Sequence, residues 1–134
     1  KIGKIIEDEI NKFKPISIFT HSENDLNNDH KIVFQATLQA TRPAALNYVR
    51  NILSYEVISS SEWRFEKYFE PNLFINLSKS ELNKKIRSFK FYKTEIKKYP
   101  YARSEDSIRI LSRYRGVQSG VEFAEAFKII RSLC

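Results

Sequence analysis

The stretch THSENDLNNDH, residues 20–30, holds both histidines of the chain, His21 and His30, among three carboxylates and three asparagines. Imidazole and carboxylate are the side chains that ligate divalent metals and move protons near neutral pH. His30 falls where a helix is expected to begin, and the positive end of the helix dipole disfavours its protonated form. The neutral ring is the form that a metal ligand needs. Asp29 beside it could cap the helix, act as a ligand, or hold the other ring nitrogen as an outer carboxylate. Asp25, Asn24, Asn27 and Asn28 add short polar groups able to orient a substrate. The same residue types also make an ordinary Asx-rich surface turn. One histidine and one acid fall short of the three protein ligands of a catalytic zinc site, so composition alone leaves both readings open.

Other chemistries have less support. The chain contains no GxSxG, no glycine-rich phosphate loop and no CxxC, and only three glycines in all. The single cysteine, Cys134, has no histidine near it in sequence, which disfavours a thiol nucleophile. SSSEW (59–63) is a second polar loop after a strand, and its other reading is a turn anchored by Trp63.

The elements that must position these residues follow from periodicity. Ile2, Ile5, Ile6, Ile10 and Phe13 form a helical stripe over 2–13, and Pro15 closes that helix. ISIFT (16–20) is uncharged and β-branched, the pattern of a buried strand. Asp29 stands at an N-cap position ahead of a helix over 30–41, which Arg42 and Pro43 end. ILSYEV (52–57) and LFINL (73–77) are further strands. Ser78 and Glu81 have capping-box spacing at the head of a helix running to about Ile96, with Leu82, Ile86 and Phe89 on its buried side. Residues 104–116 read as a helix capped by Ser104 and stopped by Gly116. The tail 121–131 fits a turn and strand or a closing helix, with the strand preferred. This alternation predicts an α/β fold with a mainly parallel sheet. In such sheets ligands bind at the carboxyl ends of strands, where loop 21–29 lies.

Bulk properties bound the alternatives. At 134 residues and 42% hydrophobic, the chain is long and apolar enough for one domain with a real core. No apolar run approaches a membrane span, and the charged beginning does not read as a signal peptide. A lone cysteine permits no disulfide framework within the chain and fits a cytoplasmic setting. The net charge of +7 admits nucleic acid, an anionic lipid or an anionic metabolite, and also a solvated lysine-rich surface. Its densest stretch, NKKIRSFKFYKTEIKK (83–98), reads as an amphipathic helix. Phe89, Phe91 and Tyr92 in it read as core, which argues against nucleic acid as a partner. No methionine occurs, not even at position 1, from which a trimmed or partial chain is expected.

Three segments together resemble one family. FTHSENDLNNDHKIVFQATLQATRP (19–43) is similar to the second metal motif of the PIG-L/LmbE zinc-dependent N-acetylsugar deacetylases, in the branch written roughly T-H-x-x-x-D-L-N-x-D-H. SYEVISSSEW (54–63) resembles that family's strand and substrate loop. YPYARSEDSIRILSRYRGVQSGVEFAEAF (99–127) resembles its closing segment, with R-G-x-x-x-G-x-x-x-A-E-A-F. The resemblance implies the C-terminal part of a Rossmann-like three-layer sandwich within a longer deacetylase domain. It implies His30 as a zinc ligand and Asp29 as its orienting acid. Asn27 stands where the common H-x-D-H form has an oxyanion-stabilising histidine, and His21 is the alternative proton donor. Asp25, Arg42, Ser61 and Glu62 are the expected substrate contacts. The substrate implied is an N-acetylamino sugar or its conjugate, in a protein that could be a homo-oligomer. The family's H-P-D-D motif, with two further metal ligands and the aspartate general base, is absent from these residues, so this chain alone is expected to be inactive. The competing expectation is a non-catalytic binding module that uses the basic segment 83–98 for an acidic partner.

Overall fold

The computed structural model describes residues 1–43 and 48–134. Helices and strands are both present, and four strands form a mixed sheet in the order β1-β2-β4-β3. The chain divides into two compact units, one of Lys1–Asn72 with Phe127–Cys134 and the other of Leu73–Ala126.

In the first unit, α1 (Ile2–Phe13) carries the expected stripe and ends at Lys14, a left-handed residue whose N–H returns to the Ile10 carbonyl. β1 (Ser17–His21) follows, then α2 (Asn28–Ala40) and β2 (Asn51–Tyr55). β1 and β2 are parallel, with Ser17 opposite Asn51 and His21 opposite Tyr55. A helix-bearing crossover between neighbouring strands is what parallel pairing requires. Ile10, Ala40, Val49 and Ile52 form the buried core, with Ile6, Ile18, Leu38 and Ile130 packed against it. The buried Thr20 hydroxyl lies 3.2 Å from that of Thr37, tying β1 to α2.

In the second unit, β3 (Leu73–Asn76) leads to α3 (Lys79–Phe89), whose first turn closes with the capping box of Ser78 and Glu81. α4 (Glu105–Ser119) is capped by the Ser104 hydroxyl. β4 (Ala124–Ser132) begins here and continues into the first unit, where it pairs antiparallel with β2. Leu82, Ile86, Ile108, Phe123 and Ala124 are buried in this unit.

Several expectations need correction. The sheet is not mainly parallel: only β1 and β2 run together, because alternating helices and strands do not fix the direction in which the last strand returns. β1 is not a buried strand, since it lies at the edge of the described sheet with Phe19 exposed. α3 stops at Phe89 instead of continuing to Ile96, so 83–98 is not one helix, and Phe91 and Tyr92 are exposed, not core. Gly116 does not stop α4, which ends at Gly120 in the left-handed conformation. Gly116 serves close packing instead: a Cβ there would lie 2.5 Å from the Val121 carbonyl oxygen and 2.7 Å from that of Glu122.

Candidate functional site

The carboxyl ends of β1 and β2 present His21 and Tyr55 side by side, because each is the last residue of its strand and the parallel register pairs them. Beyond His21 the chain turns sharply. Asn24 N–H donates to the Ser22 hydroxyl at 3.1 Å, and the Asn24 side-chain amide donates to the Tyr68 carbonyl at 3.2 Å. Asp25 Oδ1 accepts the Asn27 N–H at 2.8 Å in an Asx turn. Asn27 then caps α2, its Oδ1 accepting the Asp29 N–H at 2.9 Å.

Helical side chains lean toward the N-terminus, so His30 in the first turn reaches back over this loop. Its Nδ1 lies 3.0 Å from Asp25 Oδ2, at ion-pair distance but out of line for a hydrogen bond. Its ring stacks on His21 with centroids 4.0 Å apart and planes 19° from parallel. The Asn27 Nδ2 group lies 3.5 Å from His30 Nε2, long for a hydrogen bond. The Tyr55 hydroxyl lies 3.4 Å from His21 Nε2, and His21 Nδ1 is buried without a hydrogen-bond partner.

Asp25 is the centre of this arrangement, with no exposed surface. A bare carboxylate removed from water would be strongly disfavoured. Here Oδ2 accepts the Ser60 hydroxyl at 2.9 Å and the Ser61 hydroxyl at 3.2 Å. Ser61 is oriented to donate, because its oxygen accepts the Val57 N–H at 2.8 Å. Burial pushes the Asp25 carboxyl up, but His30, the Asn27 N–H and the Ser60 hydroxyl more than offset it, so its pKa is lowered. Burial also lowers the His21 pKa, and repulsion from His30 adds to this against the attraction of Asp25. Burial and the nearby Asp25 charge raise Tyr55.

The structure therefore brings together His21, Asp25, Asn27, His30 and Ser61. The carboxylate against His30 is Asp25, not Asp29. Asp29 is exposed in the first turn of α2 and is not the N-cap. Glu62 does not face this cluster: its carboxylate accepts the Ser59 N–H at 2.6 Å and the Ser60 N–H at 3.2 Å, which fixes the serine turn. Arg42 follows the far end of α2, about 18 Å from His30 at 1.5 Å of rise per residue. It does not line this site. Tyr55 and Ser60 are members that sequence reasoning misses. Tyr55 carries a usable signal, since parallel strands flanking a helix end on the same side.

Zinc fits this donor set only in part. Among the described residues no three His, Cys, Asp or Glu side chains gather in a way that could hold a metal. His30 by itself has the form of one ligand. A buried carboxylate at Nδ1 favours the tautomer protonated there and leaves the Nε2 lone pair available.

The chain matches no family model and no curated protein. Among solved structures it is similar to the crystal structure of the conserved protein TT1542 from Thermus thermophilus, with a TM-score of 0.71 and 15% identity. The match covers 99% of this chain and 60% of that one, so the chain spans less than two thirds of that protein's length. At this identity the likeness is one of fold.

Proposed function

We propose that this chain supplies the histidine arm of a zinc-dependent N-deacetylase site of the PIG-L/LmbE type, in a Rossmann-like three-layer domain, acting on an N-acetylamino sugar or its conjugate. The observation that carries this reading is the pairing of His30 Nδ1 with the fully buried, serine-held Asp25 at the carboxyl end of β1. Zinc, when bound, polarises an amide carbonyl and activates water.

The chain's own residues would do the rest. Asp25 orients His30. Asn27 uses its oxygen to cap α2, which leaves its Nδ2 donor beside His30 Nε2, placed to hydrogen-bond an amide oxygen that gains charge. His21, stacked on His30 and touching Tyr55, is the group placed to pass a proton to a leaving amine.

The test is made on the full-length protein. Zinc by elemental analysis and acetate release from N-acetylglucosamine conjugates are measured for the parent, His30→Ala and Asp25→Asn. The expected outcome is that His30→Ala loses both metal and turnover. Asp25→Asn should weaken metal retention by about 10- to 100-fold, as for other outer carboxylates. Full zinc content in His30→Ala overturns the assignment.

A further inference from the structure

The segment that the sequence presents as the end of a helix is an irregular loop over 90–103, and its aromatic side chains lie outside. Phe91 is 84% exposed and Tyr92 64%, and Tyr99 and Tyr101 are exposed as well. This is not a frayed segment. The Tyr92 carbonyl accepts N–H groups from Glu95 and Ile96, Lys97 N–H donates to the Arg103 carbonyl at 2.9 Å, and Tyr101 N–H donates to the Lys98 carbonyl at 3.1 Å. Glu95 and Arg103 form an ion pair across the loop, and the Ser107 hydroxyl donates to the Tyr101 carbonyl. Four aromatic rings are thus held in water on a braced backbone, against the ordinary preference for burial.

Charge narrows what would cover them. Lys93, Lys97 and Lys98 are exposed, and among the described residues no carboxylate pairs with them. The one acid within 90–103, Glu95, is held by Arg103. The loop therefore offers unpaired ammonium groups among aromatic rings, and a second copy of this chain, itself at +7, would bring like charge to it.

We propose that loop 90–103 is a peripheral docking tip for an anionic lipid bilayer. Tyrosine and phenylalanine sit well at the headgroup level, where one end of a ring is apolar and the other wet. Lysines close to an anionic leaflet add attraction and keep their ammonium groups in the interface while their stems lie on apolar surface. Single-stranded nucleic acid is the less favoured partner. Stacking and phosphate recognition draw on arginine, and the only arginine of this loop is engaged by Glu95. No helix among the described residues is long and apolar enough to cross a membrane, so the contact proposed is with the surface.

The experiment is co-sedimentation of the chain with vesicles of phosphatidylcholine alone or with about a third phosphatidylserine, at low and high salt. Binding is expected on the anionic vesicles only and should fall with salt. Lys93→Glu with Lys97→Glu, and separately Phe91→Ala with Tyr92→Ala, should each weaken it. Each lysine lost is worth about fivefold, and reversal of its sign more. Because these side chains are exposed, both double variants should keep the parent's far-UV circular dichroism and melting temperature. Failure of the folded parent to sediment with anionic vesicles overturns the proposal. So does binding that both double variants retain in full. Polyuridylate binding that the lysine variant abolishes, without vesicle binding, assigns the loop to nucleic acid and overturns it too. A concentration-dependent dimer that Phe91→Ala dissolves, again without vesicle binding, has the same effect.

Discussion

The loop after β1 and the loop after α3 solve opposite problems. Loop 22–27 is made of serine, glutamate, asparagine, aspartate and one leucine, and it takes the Asp25 carboxylate entirely out of water. Loop 90–103 carries three tyrosines and one phenylalanine among four lysines, and it leaves all four rings exposed. In the first, two serine hydroxyls and a backbone N–H converge on the Asp25 carboxylate, so its charge becomes interior structure. In the second, a backbone braced by its own hydrogen bonds holds rings that stay 45% to 84% exposed. Whether a side chain is buried is decided by the partners that the fold brings to it, and polarity alone does not predict that.

The largest test of this contrast removes the buried charge. Asp25→Ala leaves the Ser61 hydroxyl and the Asn27 N–H without this acceptor, leaves the Ser60 hydroxyl only the longer bond to the Val57 carbonyl, and removes the charge beside His30. The loss should be about 3 kcal/mol of unfolding free energy by urea titration. Asp25→Asn keeps the volume but turns an amide toward donors, and about 2 kcal/mol is expected. A loss under half a kilocalorie in either would mean that the network does not hold the loop.

Smaller effects belong to the donors. Ser61→Ala should cost more than Ser60→Ala, because it also strands the Val57 N–H, whereas the Ser60 hydroxyl donates only. About 1 kcal/mol is expected for Ser60→Ala and up to about 2 for Ser61→Ala. Asn27→Ala removes the cap of α2 and should cost about 1 kcal/mol. The same variant tests the placement of His30, since α2 begins one residue after Asn27.

Acid separates two titrating members of the site. The folded pKa of His21 lies below its ordinary 6.5, so the unfolded chain takes up that proton first. Its contribution is fully present above 6.5 and falls as pH drops below it. Asp25 is also lowered, from an ordinary 3.8, so its contribution is present above 3.8 and is lost as pH falls through the folded value. In chelator-treated protein, stability should decline in two stages. His21→Gln should flatten the first, which begins as pH falls below about 6.5, while leaving the second. An unchanged slope in that variant would remove His21 from the account.

These residues also show how much is legible in sequence. The stripe of α1, the capping box of Ser78 and Glu81, and the strand end that carries loop 22–27 follow from local rules of spacing and capping, and all three are present. The pairing of His30 with Asp25 in place of Asp29 is not legible. It depends on an Asx turn that moves the cap to Asn27 and on two serines 35 and 36 residues away. Arg42 is close in sequence, yet the length of α2 carries it away from His30. The direction of β4 is not legible either, because no local pattern records which way a strand returns.

The smallest expected effect is the sharpest for the second loop. A phenylalanine truncated to alanine in a packed core loses about 3–5 kcal/mol. Phe91 follows a helix whose Leu82 and Ile86 are fully buried, and by hydrophobicity alone it belongs with them. In the observed fold it makes no core, so Phe91→Ala should stay within about 0.5 kcal/mol of the parent in urea. Ile86→Ala, five residues earlier and 2% exposed, should lose about 3 kcal/mol in the same assay. The ratio between the two substitutions, more than either value, separates a loop that presents its rings from one that packs them. If Phe91→Ala costs as much as Ile86→Ala, the ring belongs to an interior, and the contrast between the two loops collapses.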